Sequence, residues 1–593
     1  MDSPTQEQAR QQAPAHRLAE LIARHQVTRR KIPCPSRSLT LAPPIMGMAA
    51  LPARKPHPDR PMHPQLLALV AATLPAAQPQ DSDLLLHVPQ EAFAVLHCAD
   101  ASTAFEQARR NDLFQLLTEE EDGAPLREVV TGLVLDLLPG DANRLQLSPD
   151  STGQAVSFAL PDGLGAGFLA RTRGEDGGLL ELLRSSVPLE LSSERQLLGA
   201  DVEVYEPTAG RVQPLRSYHY LIAEREDLVV ALMAQDNVIE LLADVLDTTG
   251  EPAPVTRRLE DARAKHGPAG MVELYVDFTP FSEQAARELQ QAGEPFGISP
   301  EKLLGLEDTW LYATASLPPG VGVTARGHVS IPEGTFLARL ADTFEPLPPD
   351  LLSGCPESTS GLHALHWDLA RFYDQTLEEL RQNQQEQGAE LIDGALRSTQ
   401  VMTGVDLQEE FLRQLSGVFA LYYTPPERQS SDPLDPFTLI EGMGFLAQVA
   451  DSMQLLDTFD ALMETFGGDW LEDAMIGDVE ARLTKLAREE ASSGVAFPPG
   501  RFIGHFQRTM LEASIAGLGG GPSALGESRL SSIADGRSGA SFLSAVRLRF
   551  LRQVLLMRGL SEVPEGLAQI FDLFMVTSVR RTPAGFDIWT SLE

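Results

Sequence analysis

The hydrophobic pattern of the chain switches repeatedly from the spacing of a strand to the spacing of a helix. Short runs rich in β-branched or aromatic residues end in an Asp and continue into a helical run that carries an acid and a Gln at fixed offsets. Three stretches share this pattern: VLHCADASTAFEQARR with Asp100, VELYVDFTPFSEQAAREL with Asp277, and HALHWDLARFYDQTLEEL with Asp368. An Asp at this position predicts an N-cap, because its carboxylate accepts hydrogen bonds from the free N–H groups of the helix.

A second kind of segment follows each of these stretches, with strand patterns that lead into another helix. Its three examples are Leu228–Ala234 before NVIELLADVL, Val321–Ser330 before GTFLARLADTF, and Phe445–Ala450 before SMQLLDTFDALMETF. The order predicts an α+β fold of repeated β-α-β-β-α units, which form antiparallel or mixed sheets packed by helices. The last run alternates through a turn at Pro583–Gly585 and predicts a closing C-terminal β-hairpin.

Proline-rich segments around Pro252, Pro348, Pro425 and Pro498 separate these patterns. At 593 residues the chain is too long for one hydrophobic core. The predicted organisation is a basic, disordered leader (1–61), a signal peptide (62–80), a first α+β unit (81–250), a second (260–345), a third (358–466) and a C-terminal unit (467–593).

The only long apolar run near the start is Leu66–Ala77, which is too short to span a bilayer and has the length of a signal-peptide core. Basic residues precede it and small residues follow it, so we expect export and a periplasmic or extracellular location. The basic segment is long if translation begins at Met1, and a start at Met46 or Met48 would give an ordinary leader. The alternative is a short buried helix in a cytoplasmic protein.

The net charge of −36 is unevenly distributed. Residues 1–61 hold ten Lys and Arg against four acids, whereas the rest holds 37 basic and 79 acidic residues. The acidic chain after residue 61 repels phosphate backbones, so nucleic-acid binding is disfavoured. A basic or metal-bearing partner suits this charge, unless the acidity serves solubility alone. No segment after the leader is apolar enough to predict a transmembrane helix.

The strand-Asp-helix pattern, the leader and the segment MTGVDLQEEFLRQLSGVFALYY from Met402 to Tyr423 resemble a family of exported bacterial proteins known only as a domain of unknown function. The resemblance covers residues 81–593. It implies no reaction, cofactor or site residue.

Several local groups of residues suggest a binding or catalytic site, but the residue types or their spacing argue against each one. His363, His366 and Asp368 suggest a metal site, but two His three positions apart in a strand lie on opposite faces. GPSALGES, residues 521–528, carries Glu527 where a phosphate-binding loop requires Lys. The acidic run 119–122 lacks the ligand spacing of a Ca²⁺ loop. Asp247–Gly250 is typical of a helix end rather than of an aspartic-protease loop.

No catalytic, cofactor-binding or metal-binding residue is therefore assigned, and no cofactor is expected. Of the cysteines, Cys98 and Cys355 are predicted to be buried thiols rather than a disulfide. Three hypotheses for function follow. The first is a non-enzymatic extracytoplasmic scaffold for a protein or envelope partner, and the second is a binding protein for a small ligand or cation. The third is an enzyme whose site is assembled from residues that form no motif.

Overall fold

A computed structural model describes residues 84–593, all within one compact unit, Arg60–Glu593. The ranges not described are 113–114, 116–151, 162–164, 173–177, 187–189, 207–217, 236, 249, 268–269, 282–305, 307, 321, 383–385, 426–439, 467, 469, 486–492, 527 and 550–569. The predictions for the leader, the signal peptide and the acidic run 119–122 lie outside the described residues.

The described chain forms twenty strands, which fall into two sets of ten. The first set is β1 Ala94–Cys98, β2 Thr152–Ala159, β3 Gly165–Thr172, β4 Glu190–Leu197, β5 Ala200–Glu206, β6 His219–Arg225, β7 Leu228–Ala234, β8 Val272–Asp277, β9 Trp310–Ser316 and β10 Val323–Ser330. The second set is β11 Gly361–His366, β12 Leu415–Tyr423, β13 Met443–Val449, β14 Leu471–Ile476, β15 Val479–Thr484, β16 Gly494–Ala496, β17 Arg501–His505, β18 Phe542–Arg547, β19 Phe574–Thr582 and β20 Gly585–Leu592.

Helices join these strands. In the described part of the chain, the α-helices are α1 Ala101–Ala108, α2 Gly178–Ser186, α3 Val238–Leu246, α4 Pro254–His266, α5 Phe336–Ala341, α6 Leu369–Gln382, α7 Glu386–Thr403, α8 Ser452–Phe466, α9 Arg508–Leu518 and α10 Ser528–Gly536. Short 3-10 helices at Leu84–His87 and Leu351–Gly354 precede β1 and β11, and a π-helix spans Leu407–Leu412.

All twenty strands belong to one antiparallel sheet. The hydrogen-bonded neighbours give the order β4-β5-β6-β7-β3-β2-β1-β8-β9-β10-β20-β19-β18-β11-β12-β13-β17-β16-β15-β14. From each edge inward, the strands follow one another in the same order. Each strand of the first half, β1 to β10, corresponds to the strand of the second half whose number is ten higher. The two halves therefore share one topology and meet at β10 and β20, about a pseudo-two-fold axis.

This sheet overturns the predicted α+β fold of β-α-β-β-α units. The three similar stretches do not begin equivalent units, since Asp100 and Asp368 follow the equivalent strands β1 and β11, whereas Asp277 ends β8. β8 pairs with β1 on one side and β9 on the other. Local patterns show where a strand and a helix adjoin, but strand pairing depends on contacts between residues far apart in the chain.

Helices cover both faces of each half-sheet. In the first half, α3 and α4 pack on one face over a core that includes Leu242 and Leu259, and α1 and α2 pack on the other over Phe168. Between these layers β7 is buried along its whole length, which explains why its sequence, LVVALMA, is apolar throughout. In the second half α9 and α10 occupy the position of α3 and α4, and α8 covers the opposite face.

The junction of the two halves is an antiparallel ladder of eight pairs, from Val323 opposite Leu592 to Ser330 opposite Gly585. Gly585 has φ +142°, and a Cβ there would clash with the Val329 carbonyl group. Only glycine lets β20 approach β10 this closely at the start of the ladder. The hairpin of β19 and β20, closed by Thr582 and Gly585, brings the C-terminus of the chain to this junction.

Candidate functional site

A cavity of about 720 Å³ lies at the junction of the two half-sheets. Its floor is one face of four adjacent strands, β9, β10, β20 and β19. One wall contains His266, the last residue of α4, and Gly270, and the other runs from Gly536, the last residue of α10, to Ala540. The equivalent helices of the two halves thus flank a strip of sheet at the junction.

The strand register sets the side chains of the floor in rows. One row runs from β9 to β19 through Thr314, Arg326, Trp589 and Ser578. The next row runs through Tyr312, His328, Asp587 and Arg580. Because neighbouring strands lie about 4.8 Å apart, four strands give a floor about 15 Å wide. This is the size of a small organic molecule rather than of a single ion.

Three arginines line the pocket: Arg326, Arg537 and Arg580. The guanidinium groups of Arg326 and Arg537 lie 4.7 and 4.0 Å from the centre of the Trp589 ring, which is the geometry of a cation–π contact. Arg537 also donates to Ser591 and pairs with Glu593. Among the described residues, neither Arg326 nor Arg580 forms an ion pair, although Asp587 lies opposite Arg580 on the neighbouring strand.

Two histidines stack at one side of the pocket. The rings of His266 and His328 are 4.3 Å apart between centres and inclined at 25°. His328 is buried, and its Nδ1 lies 2.7 Å from Oδ1 of Asp587, whose carboxylate is half exposed. Partial burial lowers the pKa of His266, the neighbouring His328 and Lys265 lower it further, and Asp587 opposes them. His266 is therefore mostly neutral at neutral pH.

A buried network lies beneath this site and fixes Tyr312. The Tyr312 hydroxyl donates to Oε1 of Glu273 at 2.8 Å, and Arg263 donates to both oxygens of the same carboxylate. His97 lies 3.2 Å from Oε2 of Glu273, and Gln154 contacts the other nitrogen of that imidazole. Burial alone raises the pKa of Glu273, but hydrogen bonds from His97, Arg263 and Tyr312 and the charge of Arg263 together lower it to about 2.

The residues that invited a metal interpretation lie elsewhere. His363 is exposed on β11, while Nδ1 of His366 contacts the Pro346 carbonyl oxygen at 2.6 Å. Asp368 accepts a hydrogen bond from the Arg371 amide, so the predicted N-cap is confirmed there. Among the described residues no group of three or more His, Cys, Asp and Glu side chains could hold a metal ion.

The remaining sequence features have structural roles. Cys98 and Cys355 are both buried thiols, as predicted, and burial raises the pKa of each to about 12. The glycine-rich stretch that includes 521–526 connects α9 to α10 and lies away from the junction pocket. In the described part of the chain, no helix is long and apolar enough to cross a membrane.

Sequence reasoning missed the residues of the junction pocket. A signal was present, since VTARGHVS and GFDIWTSL place charged, aromatic or imidazole side chains at alternate positions: Arg326 and His328 in one, Asp587 and Trp589 in the other. In a sheet with helices on both faces, such a polar face indicates a strip that no helix covers. The sequence pattern did not predict that β10 pairs with β20.

No family model and no curated protein matches this chain. Among solved structures, it is similar to crystal form III of TP0453, with a TM-score of 0.23 and 10% identity over 45% of this chain and 90% of that one. Crystal form IV of TP0453 gives a TM-score of 0.24 and 11% identity, over 42% of this chain and 81% of that one. Likenesses this weak carry no inference about fold or function.

Proposed function

We propose that this protein binds a small organic anion in the junction pocket. The observation that carries the proposal is the reversal of charge: a chain of net charge −36 encloses a pocket lined by three Arg and two His with one carboxylate, Asp587. An acidic body repels anions at long range, so cations gathered at one cavity serve recognition at short range. This favours the small-ligand hypothesis and directs it to an anion rather than a cation.

The shape and lining support the same conclusion. The volume of about 720 Å³ is typical of a pocket for a small molecule. Arginine presents paired N–H donors that match a carboxylate or phosphate. Several hydroxyl side chains also line the cavity: Thr314, Ser316, Thr324, Ser538 and Ser578. Such a lining suits a hydroxylated carboxylate or phosphate, whose hydroxyl groups find partners between the charged residues.

The pocket depends on both halves of the chain. Arg326 and His328 come from β10, whereas Asp587 and Trp589 come from β20. Residues related by the pseudo-two-fold axis differ in chemistry, so the ligand meets different groups on its two sides. The absence of enzymatic activity, the exported location, the scaffold hypothesis and the family resemblance stay predictions.

The test measures the binding of citrate to the wild type and to Arg326→Gln by isothermal titration calorimetry and thermal shift. Losing one charge-assisted contact should weaken citrate binding by about tenfold or more. Arg195→Gln is the matched control, because Arg195 is exposed on the edge strand β4, and it should bind citrate as the wild type does. Equal affinities in all three proteins would refute the proposal.

A further inference from the structure

His266 is an exposed imidazole of the pocket. It lies at the end of α4, and its ring stacks on that of His328. It also lies 6.1 Å from the Tyr312 ring and 5.8 Å from the Trp310 ring, measured between centres. These contacts hold the imidazole at the rim of the cavity, where a bound anion comes within range of its charge.

The groups around His266 are mostly positive. They are Lys265 on its own helix, Tyr312 on β9, Arg326 and His328 on β10, Arg580 on β19, Asp587 on β20 and Arg537 after α10. Partial burial lowers the pKa of His266 below its usual 6.5, and the neighbouring His328 and Lys265 lower it further, while Asp587 opposes them. An anion among them reverses the balance, because a negative charge within a few ångströms favours the protonated imidazole.

We propose that this pocket binds its anion together with a proton, which His266 takes from solvent. The inference rests on the proposed anion-binding function and adds its regulation. The imidazole lone pair accepts the proton and becomes an N–H donor, and no other bond is made or broken. Binding of the anion raises the proton affinity of His266. By thermodynamic linkage, protonation of His266 raises the affinity for the anion by the same factor.

The sign of the pH dependence follows. Above the pKa of His266 in the complex, the anion binds to a neutral imidazole and no proton is taken up. As the pH falls into the interval between the pKa of the complex and the lower pKa of the free protein, binding tightens. A shift of about one pKa unit on binding corresponds to about a tenfold gain in affinity between about pH 8 and pH 5.

Sulfate is the probe, because it keeps its charge across this range. Its affinity is measured by calorimetry from about pH 8 to pH 5 at constant ionic strength, in two buffers with different enthalpies of ionisation, which gives the protons taken up per sulfate. The wild type should take up a substantial fraction of one proton near the middle of the range. His266→Gln should keep the weak affinity of high pH and lose most of the uptake.

Two further variants separate coupling from structural effects. His266→Arg carries a permanent charge, so it should bind sulfate tightly at about pH 8 without proton uptake. His363→Gln is the matched control, because His363 lies on the exposed face of β11, outside the pocket, and partial burial lowers its pKa as well. That variant should behave as the wild type does.

The outcomes distinguish the two proposals. Sulfate binding by the wild type without proton uptake, or with the same uptake in His266→Gln, would overturn the coupling and leave anion binding intact. If the wild type bound neither citrate nor sulfate at any pH, or if Arg326→Gln bound both equally well, the anion-binding function itself would be refuted. Citrate binding without sulfate binding would overturn the coupling alone.

Discussion

Replacing Glu273 by Gln removes a negative charge from a site that is closed to solvent. Glu273 is 2% exposed and accepts hydrogen bonds from Arg263 and Tyr312, with His97 against its second oxygen. The substitution keeps the shape of the side chain. It leaves Arg263 without its counter-charge beneath the junction pocket.

Two arguments give the size of the effect. Breaking a buried ion pair by removing one partner costs about 3–5 kcal/mol. Independently, these contacts lower the pKa of Glu273 from 4.5 to about 2, which corresponds to about 3 kcal/mol of stability at neutral pH. We therefore expect Glu273→Gln to lower the free energy of unfolding by about 3 kcal/mol at neutral pH.

The pH dependence supplies the sharper assay. The folded pKa lies below the unfolded value, so the contribution is complete above pH 4.5 and is lost as the pH falls toward 2. Urea denaturation, followed by tryptophan fluorescence at several pH values, should show the gap between wild type and variant narrowing below pH 4.5. Glu333→Gln, at an exposed site, should change stability by less than about 0.5 kcal/mol. A loss below about 1 kcal/mol for Glu273→Gln, or a gap independent of pH, would refute the reasoning.

Two further predictions concern the junction and the thiols. Gly585→Ala places a Cβ against the Val329 carbonyl group at φ +142°, so urea denaturation should show a loss of about 2 kcal/mol or more. Gly394→Ala, in an open helical position, should instead stabilise by up to about 1 kcal/mol, and equal effects would contradict the argument. Cys98 and Cys355, both buried, should resist iodoacetamide in the folded protein and react in urea, as measured by mass spectrometry; rapid labelling of the native thiols would contradict their burial.

The sequence determined the features that depend on residues close together in the chain. The Asp368 cap, the helix that follows it and the turn between β19 and β20 arise from side chains within a few positions of one another. Neither cysteine lies in a local pattern that favours a disulfide, and both are buried thiols. These features follow from backbone hydrogen bonding and local periodicity, which act within a few residues.

Tertiary structure decided the rest. The predicted five-element units failed because strand pairing in this sheet joins distant segments: β8 lies between β1 and β9, and β10 pairs with β20. The candidate site has the same origin, since His328 and Asp587 form a hydrogen bond across 259 positions of the chain. No local pattern encodes that proximity, because it depends on the free energy of assembling both half-sheets into one ladder. The charge of the pocket, opposite to that of the chain, exists only once that ladder has formed.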